Sequence, residues 1–232
     1  MISICSGFSY KAGAGNYGFT SSRVIIEERD HKDIETWSVE SPSDGNIKCI
    51  LNFATGELKI KATSKNKETK IKAIFIKGRE LWKPYVKSVS FEGNITSIEG
   101  SYHLEYAFRD CKNLIYIEIP NSVKTIGHRA FSGCESLSSI AIDSVTTIGY
   151  RAFAGCKSLF KIEIPNVRHM GMGAFKNCKS LTQITMPGEI KLNNFLIDAE
   201  GHVKPVNTKK ELFNNLFEGC SSLLYKYIEG LL

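Results

Sequence analysis

The sequence predicts a β-leaning α/β solenoid, with short parallel strands and short helical turns, preceded by a β-rich amino-terminal cap. Three observations predict this fold class. A unit of about 22 residues recurs through the carboxyl-terminal two thirds of the chain. Each unit joins an Ala-Phe-x-x-Cys-x-x-Leu stretch to a short run of alternating apolar residues. The first 80 residues lack the unit but contain several runs that are typical of strands.

The repeat is clearest in its phenylalanines, which are spaced by 23, 22 and 22 residues in four well-aligned copies. A half-repeat at 86–100 precedes these copies, and a degenerate copy follows them. One turn of this size cannot bury its own apolar face, so neighbouring turns must stack against each other. We therefore expect an inward-facing column on the convex side, formed by Phe108, Phe131, Phe153, Phe175 and Phe217.

Each part of the unit indicates a local structure. Alternating residues such as Ile117 and Ile119 predict a short strand with one buried face. Pro120 then suits the end of a strand because proline cannot donate to a ladder. The Gly that follows an apolar residue, as in Ile148-Gly149, suits a crowded bend. The apolar spacing of the Phe, Cys and Leu positions predicts an inward-facing helical or 3₁₀ turn.

The flanking regions indicate the domain organisation. Runs at 24–28, 49–53, 57–61 and around 70–78 predict strands, with a hairpin about Ala54-Thr55-Gly56. The segment FLIDAEGHVKPV predicts a second hairpin, inserted at the edge of the array. We therefore divide the chain into a β-rich cap at 1–80 and a solenoid at 81–232, with the insertion at about 188–211.

The cysteines indicate core packing and not a disulfide framework. Five of the seven occupy one repeated position, three residues after a Phe and three before a Leu. A cysteine in a recurring apolar position is a small buried hydrophobe. We expect this for the whole column, which comprises Cys111, Cys134, Cys156, Cys178 and Cys220.

Composition and charge exclude some classes of protein. The chain has 232 residues, a formal charge of +6 and 42% hydrophobic residues, which indicates a globular protein. Nine Lys or Arg residues between Lys59 and Lys83 form a basic stretch, which we interpret as a solvated sheet face because it has few aromatics for base stacking. No apolar run is long enough to span a bilayer, and the start lacks the pattern of a secretory signal.

Three possible reactive or ligand-binding features are weak. Gly13, Gly15 and Gly18 match G-x-G-x-x-G, but the sequence after them predicts a strand, whereas a dinucleotide site needs a helix start. The five histidines show no metal-ligand spacing. A nucleophilic pair of Cys134 and His128 is disfavoured because the cysteine is expected to face the core. We predict no cofactor and no metal.

A carboxylate pair is also present on the predicted strands. Glu118 and Glu163 occupy equivalent positions two repeats apart, with Ala141 between them, which places them about 10 Å from each other. This spacing is close to that of inverting glycosidases. However, an open face offers no apolar pocket to raise one pKa, so we predict that the chain is not an enzyme.

The unit I-G-x-x-A-F-x-x-C-x-x-L-x-x-I-x-I-P resembles the BspA-like class of leucine-rich repeats, most closely over 86–187. The stretch GELKIKA, then Trp82 to Tyr85, also resembles the segment that leads into the first repeat of such proteins. The resemblance implies a leucine-rich-repeat solenoid, a surface or secreted location in a microbe, and adhesion or recognition without catalysis.

The residues that project from the strands are the predicted partner-binding site. Their aromatic and mixed-charge character suits a protein or glycan partner. A second interpretation is an intracellular structural or protein-interaction repeat, favoured by the missing signal and the reduced-looking cysteines, and nucleic-acid binding is a distant third. The predicted site residues are Tyr116, Glu118, Ser139, Lys161, Glu163, Gln183, Thr185, Tyr225 and Tyr227.

Overall fold

A computed structural model of the chain describes residues 24–25, 36–40, 47–62, 68–71, 82–99, 107–185, 195–197, 202–205 and 208–223. Short strands dominate these ranges, together with a 3₁₀ turn at Lys83–Tyr85 and the helix α1 at Lys209–Leu216. The strands are β1 (Val24–Ile25), β2 (Thr36–Glu40), β3 (Ile47–Asn52), β4 (Glu57–Ala62), β5 (Thr69–Ile71), β6 (Ser88–Glu92), β7 (Ile95–Ile98), β8 (Tyr116–Ile117), β9 (Thr125–Ile126), β10 (Thr147–Ile148), β11 (Lys161–Glu163), β12 (His169–Met170), β13 (Gln183–Thr185), β14 (Phe195–Ile197) and β15 (Val203–Pro205).

The amino-terminal strands form an antiparallel sheet in the order β1-β2-β3-β4. The predicted hairpin about Ala54-Thr55-Gly56 is confirmed, since β3 and β4 pair along their whole length. The Asn52 side chain accepts hydrogen bonds from the N–H groups of Ala54 and Thr55, and Gly56 adopts φ +75° to close the turn. Strand β2 was not predicted from the sequence.

Parallel stacking begins before the first full repeat. Strand β4 pairs antiparallel with β3 on one edge and parallel with β6 on the other, with Leu58 opposite Val89 and Ile60 opposite Phe91. Farther along, β5 pairs parallel with β7. The parallel ladders therefore cross residue 80, where the sequence suggested a boundary, and the division into 1–80 and 81–232 stays a prediction.

The first ladder of the solenoid joins the strands that the sequence predicted. It runs from β6 to β8, continues through the bridges of Ala141 with Glu118 and Glu163, and reaches β13. Every pairing in it is parallel. The inward residues are buried, and they include Ile117, Ile140, Ile162 and Ile184.

A second parallel ladder, which the sequence analysis did not predict, lies at the apolar-Gly positions. Strands β5, β7, β9, β10 and β12 form it, with Ile126, Ile148 and Met170 in register. The predicted crowding at the glycine is present: a Cβ on Gly149 would lie 2.6 Å from the backbone nitrogen of His128. The backbones of adjacent coils therefore approach each other closely at this position.

The Phe stretch forms 3₁₀-type turns, as predicted. The Cys134 N–H donates to the Phe131 carbonyl, and the Leu137 N–H donates to the Cys134 carbonyl, each three residues back. The Phe131 N–H donates to the Ala152 carbonyl of the next coil at 2.8 Å. These turns consequently link adjacent coils as well as closing each coil.

The phenylalanine column is fully formed inside the solenoid. Its rings stack almost parallel, with interplanar angles from 2° to 7° and centroid separations from 5.2 to 5.4 Å. Four of the rings are completely buried, and Phe217 is nearly so. The inward prediction for this column is confirmed, including its degenerate fifth member. Each of the three inner rings stacks on a neighbour at both faces, so the coils share one continuous core.

Four members of the cysteine column are buried beside the rings, as predicted, whereas Cys220 is only partly buried. The four thiols from Cys134 onward also make hydrogen bonds that the sequence did not reveal, because each donates to the backbone oxygen of the phenylalanine one coil earlier. The Sγ–O distances are 3.1 Å for Cys134 to Phe108, 3.3 Å for Cys156 to Phe131, 3.1 Å for Cys178 to Phe153 and 3.0 Å for Cys220 to Phe175.

Burial of the thiols predicts a loss of stability in alkali. Desolvation raises the pKa of Cys134 and Cys156 above the ordinary 9.0, and raises that of Cys49 to about 12. Above pH 9 the unfolded thiols lose protons that the folded thiols keep, so the free energy of unfolding falls as pH rises. The fall approaches about 1.4 kcal/mol per pH unit for each such thiol.

Urea unfolding at pH 8, 9 and 10, under reducing conditions, measures this slope. Cys156→Ala is expected to be less stable at pH 8 but to show a shallower pH slope than the parent chain, because one buried thiol no longer titrates. Lysines and tyrosines contribute equally to both chains, so they cancel in the comparison. Equal slopes would show that Cys156 does not resist ionisation in the fold.

The carboxyl-terminal insertion has the predicted hairpin, formed by antiparallel β14 and β15. Helix α1 follows, with Thr208 as its N-cap: the hydroxyl oxygen accepts a hydrogen bond from the Glu211 N–H. Leu212 and Leu216 of this helix are buried, and Phe217 stacks on Phe175. The helix, which was not predicted, thus returns the chain to the array for another coil.

Candidate functional site

The predicted site residues of the central coils lie on one surface, the outer side of the first ladder, which we term the strand face. Parallel register aligns Glu118, Ala141, Glu163 and Thr185 in one row across four coils. A second row, two residues earlier in each coil, contains Tyr116, Ser139, Lys161 and Gln183. All of these side chains are exposed or half-buried. Tyr225 and Tyr227 lie outside the described residues.

The strand face extends farther than the predicted site. Ser88 pairs with Tyr116, and Glu57 pairs with Ser88, so the second row continues over two more coils. Ser90 and Lys59 continue the first row in the same way. The signal for this extension was present in the alternation of GELKIKA and VKSVSFE, which matches the repeat strands.

Exposed apolar side chains gather on the strand face. Ile115, Tyr116 and Phe160 are 53%, 52% and 49% exposed, although they are among the larger apolar residues of the chain. Tyr85, which is 46% exposed, lies just before β6 in the preceding coil. Ile115 and Phe160 were not predicted as site residues. Each lies directly before a strand, which begins at Tyr116 or Lys161, so the alternation within the strand does not show which way these two side chains face.

The charges of the strand face are mostly paired within the face. Lys161 contacts Glu163, Lys61 lies 2.9 Å from Glu92, and Lys59 lies 3.7 Å from Glu57. Lys61 lowers the pKa of the Glu92 carboxyl through a hydrogen bond and through its charge. These exposed pairs are worth little in stability. They leave the face without a strong net charge, which suits neither a phosphate backbone nor another highly charged polymer.

Cys134 and His128, the possible nucleophilic pair, are each hydrogen-bonded to another group. The Cys134 thiol is buried and donates to the Phe108 carbonyl, and burial raises its pKa. The His128 Nδ1 accepts a hydrogen bond from the Tyr150 N–H at 3.1 Å, and burial followed by the charge of Arg129 lowers its pKa. A thiol held in its protonated form against the core is a poor nucleophile.

The other candidate residues do not form a catalytic or metal-binding site in the described ranges. Glu118 and Glu163 are exposed on an open face with Ala141 between them. No group of three His, Cys, Asp or Glu side chains in these ranges is arranged to hold a metal ion. The G-x-G-x-x-G glycines lie outside the described residues. Among the helices that the structure describes, none has the length and apolarity to cross a membrane.

Known structures resemble the chain at low sequence identity. A leucine rich repeat protein of T. pallidum is 22% identical, with a TM-score of 0.47, and the match covers 83% of this chain and 94% of that one. A leucine rich cell surface protein of Faecalibacterium prausnitzii is 24% identical, with a TM-score of 0.44, covering 78% and 52% of the two chains. This chain thus spans about half the length of the second protein. Among curated proteins there is no match.

The sequence also matches a family model. Residues 103–224, more than half of the chain, match the BspA type leucine rich repeat region in six copies. The matched span contains the phenylalanine and cysteine columns and ends within the degenerate copy, seven residues after Phe217. It therefore reaches the repeat that the sequence pattern showed least clearly. The chain belongs to the BspA type leucine rich repeat family.

Proposed function

We propose that the chain is a non-catalytic binding or adhesion module, which recognises a protein or glycan partner through the strand face. The observation that carries the proposal is the gathering of Ile115, Tyr116 and Phe160, each about half exposed, on the two coils of that face that flank the coil of Ala141. The inward apolar columns of the fold are almost completely buried, so packing of the coils gives no reason for these large apolar side chains to remain in water. Large exposed apolar residues grouped in this way mark interaction sites.

The rigid support of the face also favours binding. Each outward side chain alternates with a buried isoleucine, and parallel hydrogen bonds join the coils on either side. The contact residues are consequently held in place before a partner arrives, which reduces the entropy lost on association. Tyrosine adds a large contact area and a hydroxyl at a small entropic cost.

The alternative of an intracellular repeat protein gains no support from the thiols. The cysteine side chains are shielded by burial and hydrogen-bonded to backbone carbonyls. Their reduced state therefore follows from the packing of the coils and not from the compartment. Both locations share the same binding face, so the proposal does not depend on choosing between them.

Two substitutions on the strand face test the proposal. Tyr116→Ala together with Lys161→Ala is expected to weaken binding at least tenfold, because the pair removes an exposed aromatic anchor and a neighbouring cation. Ligands are captured on the immobilised parent chain, identified, purified and titrated against both chains. The variant should unfold at the same urea concentration as the parent, since both side chains are substantially exposed.

A matched control lies on a different surface. Lys124→Ala together with Arg168→Ala removes two exposed cations beside the second ladder. This control is expected to leave the dissociation constants unchanged. If the control weakened binding and the strand-face variant did not, the second ladder would be the site, and the assignment to the strand face would be wrong.

A further inference from the structure

At the centre of the strand face, one coil carries only small outward side chains. The outward residues of this coil are Ser138, Ser139 and Ala141, whereas the coils on both sides carry larger side chains at the same positions. Adjacent parallel strands lie about 4.8 Å apart, so the flanking coils stand about 10 Å from each other. This distance leaves room for one extended polypeptide between them. We term the space above these three residues the central trough.

The central trough has apolar walls where the strands begin. Ile115 and Tyr116 stand on one side, and Phe160 stands on the other, with its N–H bonded to the Ser138 carbonyl. All three side chains keep about half of their surface exposed. An apolar side chain seated between them would remove that surface from water on both walls, which favours binding by about 25 cal/mol per Å².

The trough becomes acidic two residues farther along the strands. Ala141 forms its floor there, and its register partners Glu118 and Glu163 form the walls. Glu163 is paired with Lys161, but Glu118 has no lysine or arginine partner within the described ranges. The trough therefore presents one uncompensated negative charge beside an apolar pocket. A cationic side chain complements that charge, and a phosphate or sulfate group is repelled by it.

We propose that the central trough binds an extended segment of a partner protein with an apolar residue and, two positions away, a lysine or arginine. The apolar side chain lies between Tyr116 and Phe160, and the cationic side chain lies above Ala141 between Glu118 and Glu163. The spacing of two follows because side chains on one side of an extended chain recur every second residue, about 7 Å apart, as the wall residues do. The inference rests on the proposed function of the strand face.

A selection from displayed peptides tests the inference. Random twelve-residue peptides are selected on the intact chain and counter-selected on Ala141→Trp, which fills the trough at an exposed position. The enriched peptides are expected to share an apolar residue and a Lys or Arg separated by one residue. Their affinity should fall about tenfold for Glu118→Gln, which keeps the side-chain shape and removes its charge.

The control is Glu92→Gln, which removes a carboxylate one coil upstream of Glu118 on the same face and should leave the affinity unchanged. Circular dichroism confirms that each variant keeps its fold. Peptides that bind through Tyr116 and Lys161 but show no basic residue, or resist Glu118→Gln, would overturn the trough inference and leave the proposed function intact. Failure to enrich any peptide would also overturn it. Peptides insensitive to every strand-face variant would contradict both.

Discussion

Replacing Phe131 by aspartate is expected to unfold the solenoid at room temperature. The Phe131 ring is completely buried, between Phe108 at 5.2 Å and Phe153 at 5.4 Å. Loss of a buried phenylalanine alone costs about 3–5 kcal/mol. An unpaired carboxylate in the same place adds a desolvation cost, and the total is comparable with the whole stability of a domain. Circular dichroism during urea titration measures the loss.

The same chemical change at an exposed position provides the control. Phe160 lies in the next coil but is 49% exposed on the strand face, so Phe160→Asp should shift the unfolding midpoint only slightly. The contrast separates burial from the general effect of adding an aspartate. A Phe131→Asp variant that melted within a degree or two of the parent would show that this ring does not support the array.

Replacing Gly149 by alanine is expected to destabilise the chain by about 3 kcal/mol or more. A Cβ at this position would lie 2.6 Å from the His128 nitrogen and 2.7 Å from the Gly127 carbonyl carbon, both of which are backbone atoms. Unstrained carbon contacts are about 3.5–4.0 Å, so the coils would have to separate. That separation would stretch the bond from the Gly149 N–H to the Ile126 carbonyl, which is 2.8 Å.

Gly155→Ala measures the cost of an unfavourable backbone conformation without the steric clash that is expected at Gly149. Gly155 adopts φ +76°, and a Cβ there meets no atom closer than 3.7 Å. This variant should lose only about 1–2 kcal/mol, the cost of a left-handed conformation for a side chain. Urea midpoints of the two variants measure the difference. Equal losses would indicate that the close approach at Gly149 is not a constraint on coil spacing.

The sequence predicted the phenylalanine and cysteine columns well, because each of these positions recurs in every copy of the repeat. Phe and Cys recur at one spacing in five coils, and the copies share a single physical explanation. Even the weak copy at Phe217 could be recognised, although an insertion separates it from Phe175, because the spacing within the copy is unchanged.

The features that were missed depend on neighbours in space. The second ladder contains only two to four residues in each coil, and its hydrogen bonds run between coils, so no single segment is recognised as a strand from its sequence. The thiol bonds of the cysteine column likewise reach one coil back. The helix Lys209–Leu216 follows an inserted hairpin that has no counterpart in other coils, and repetition therefore gave no help there.

The candidate site was predicted in part. Alternation within each strand identified the outward rows, including Tyr116 and Glu163, because the period of two fixes which side chains face outward. Ile115 and Phe160 could not be found in this way, since their exposure depends on where the coil turns before the strand. The central trough at Ala141 could not be predicted from one coil, because it depends on the register that places Ala141 between Glu118 and Glu163.

The most direct test of the account is the ratio of two dissociation constants for one purified ligand of the chain. The numerator belongs to the strand-face variant with Tyr116→Ala and Lys161→Ala, and the denominator to the control with Lys124→Ala and Arg168→Ala. If the strand face is the binding surface, the ratio should be about ten or more, with equal unfolding midpoints for the two variants. A ratio near one, or below it, would contradict the strand face as the binding surface.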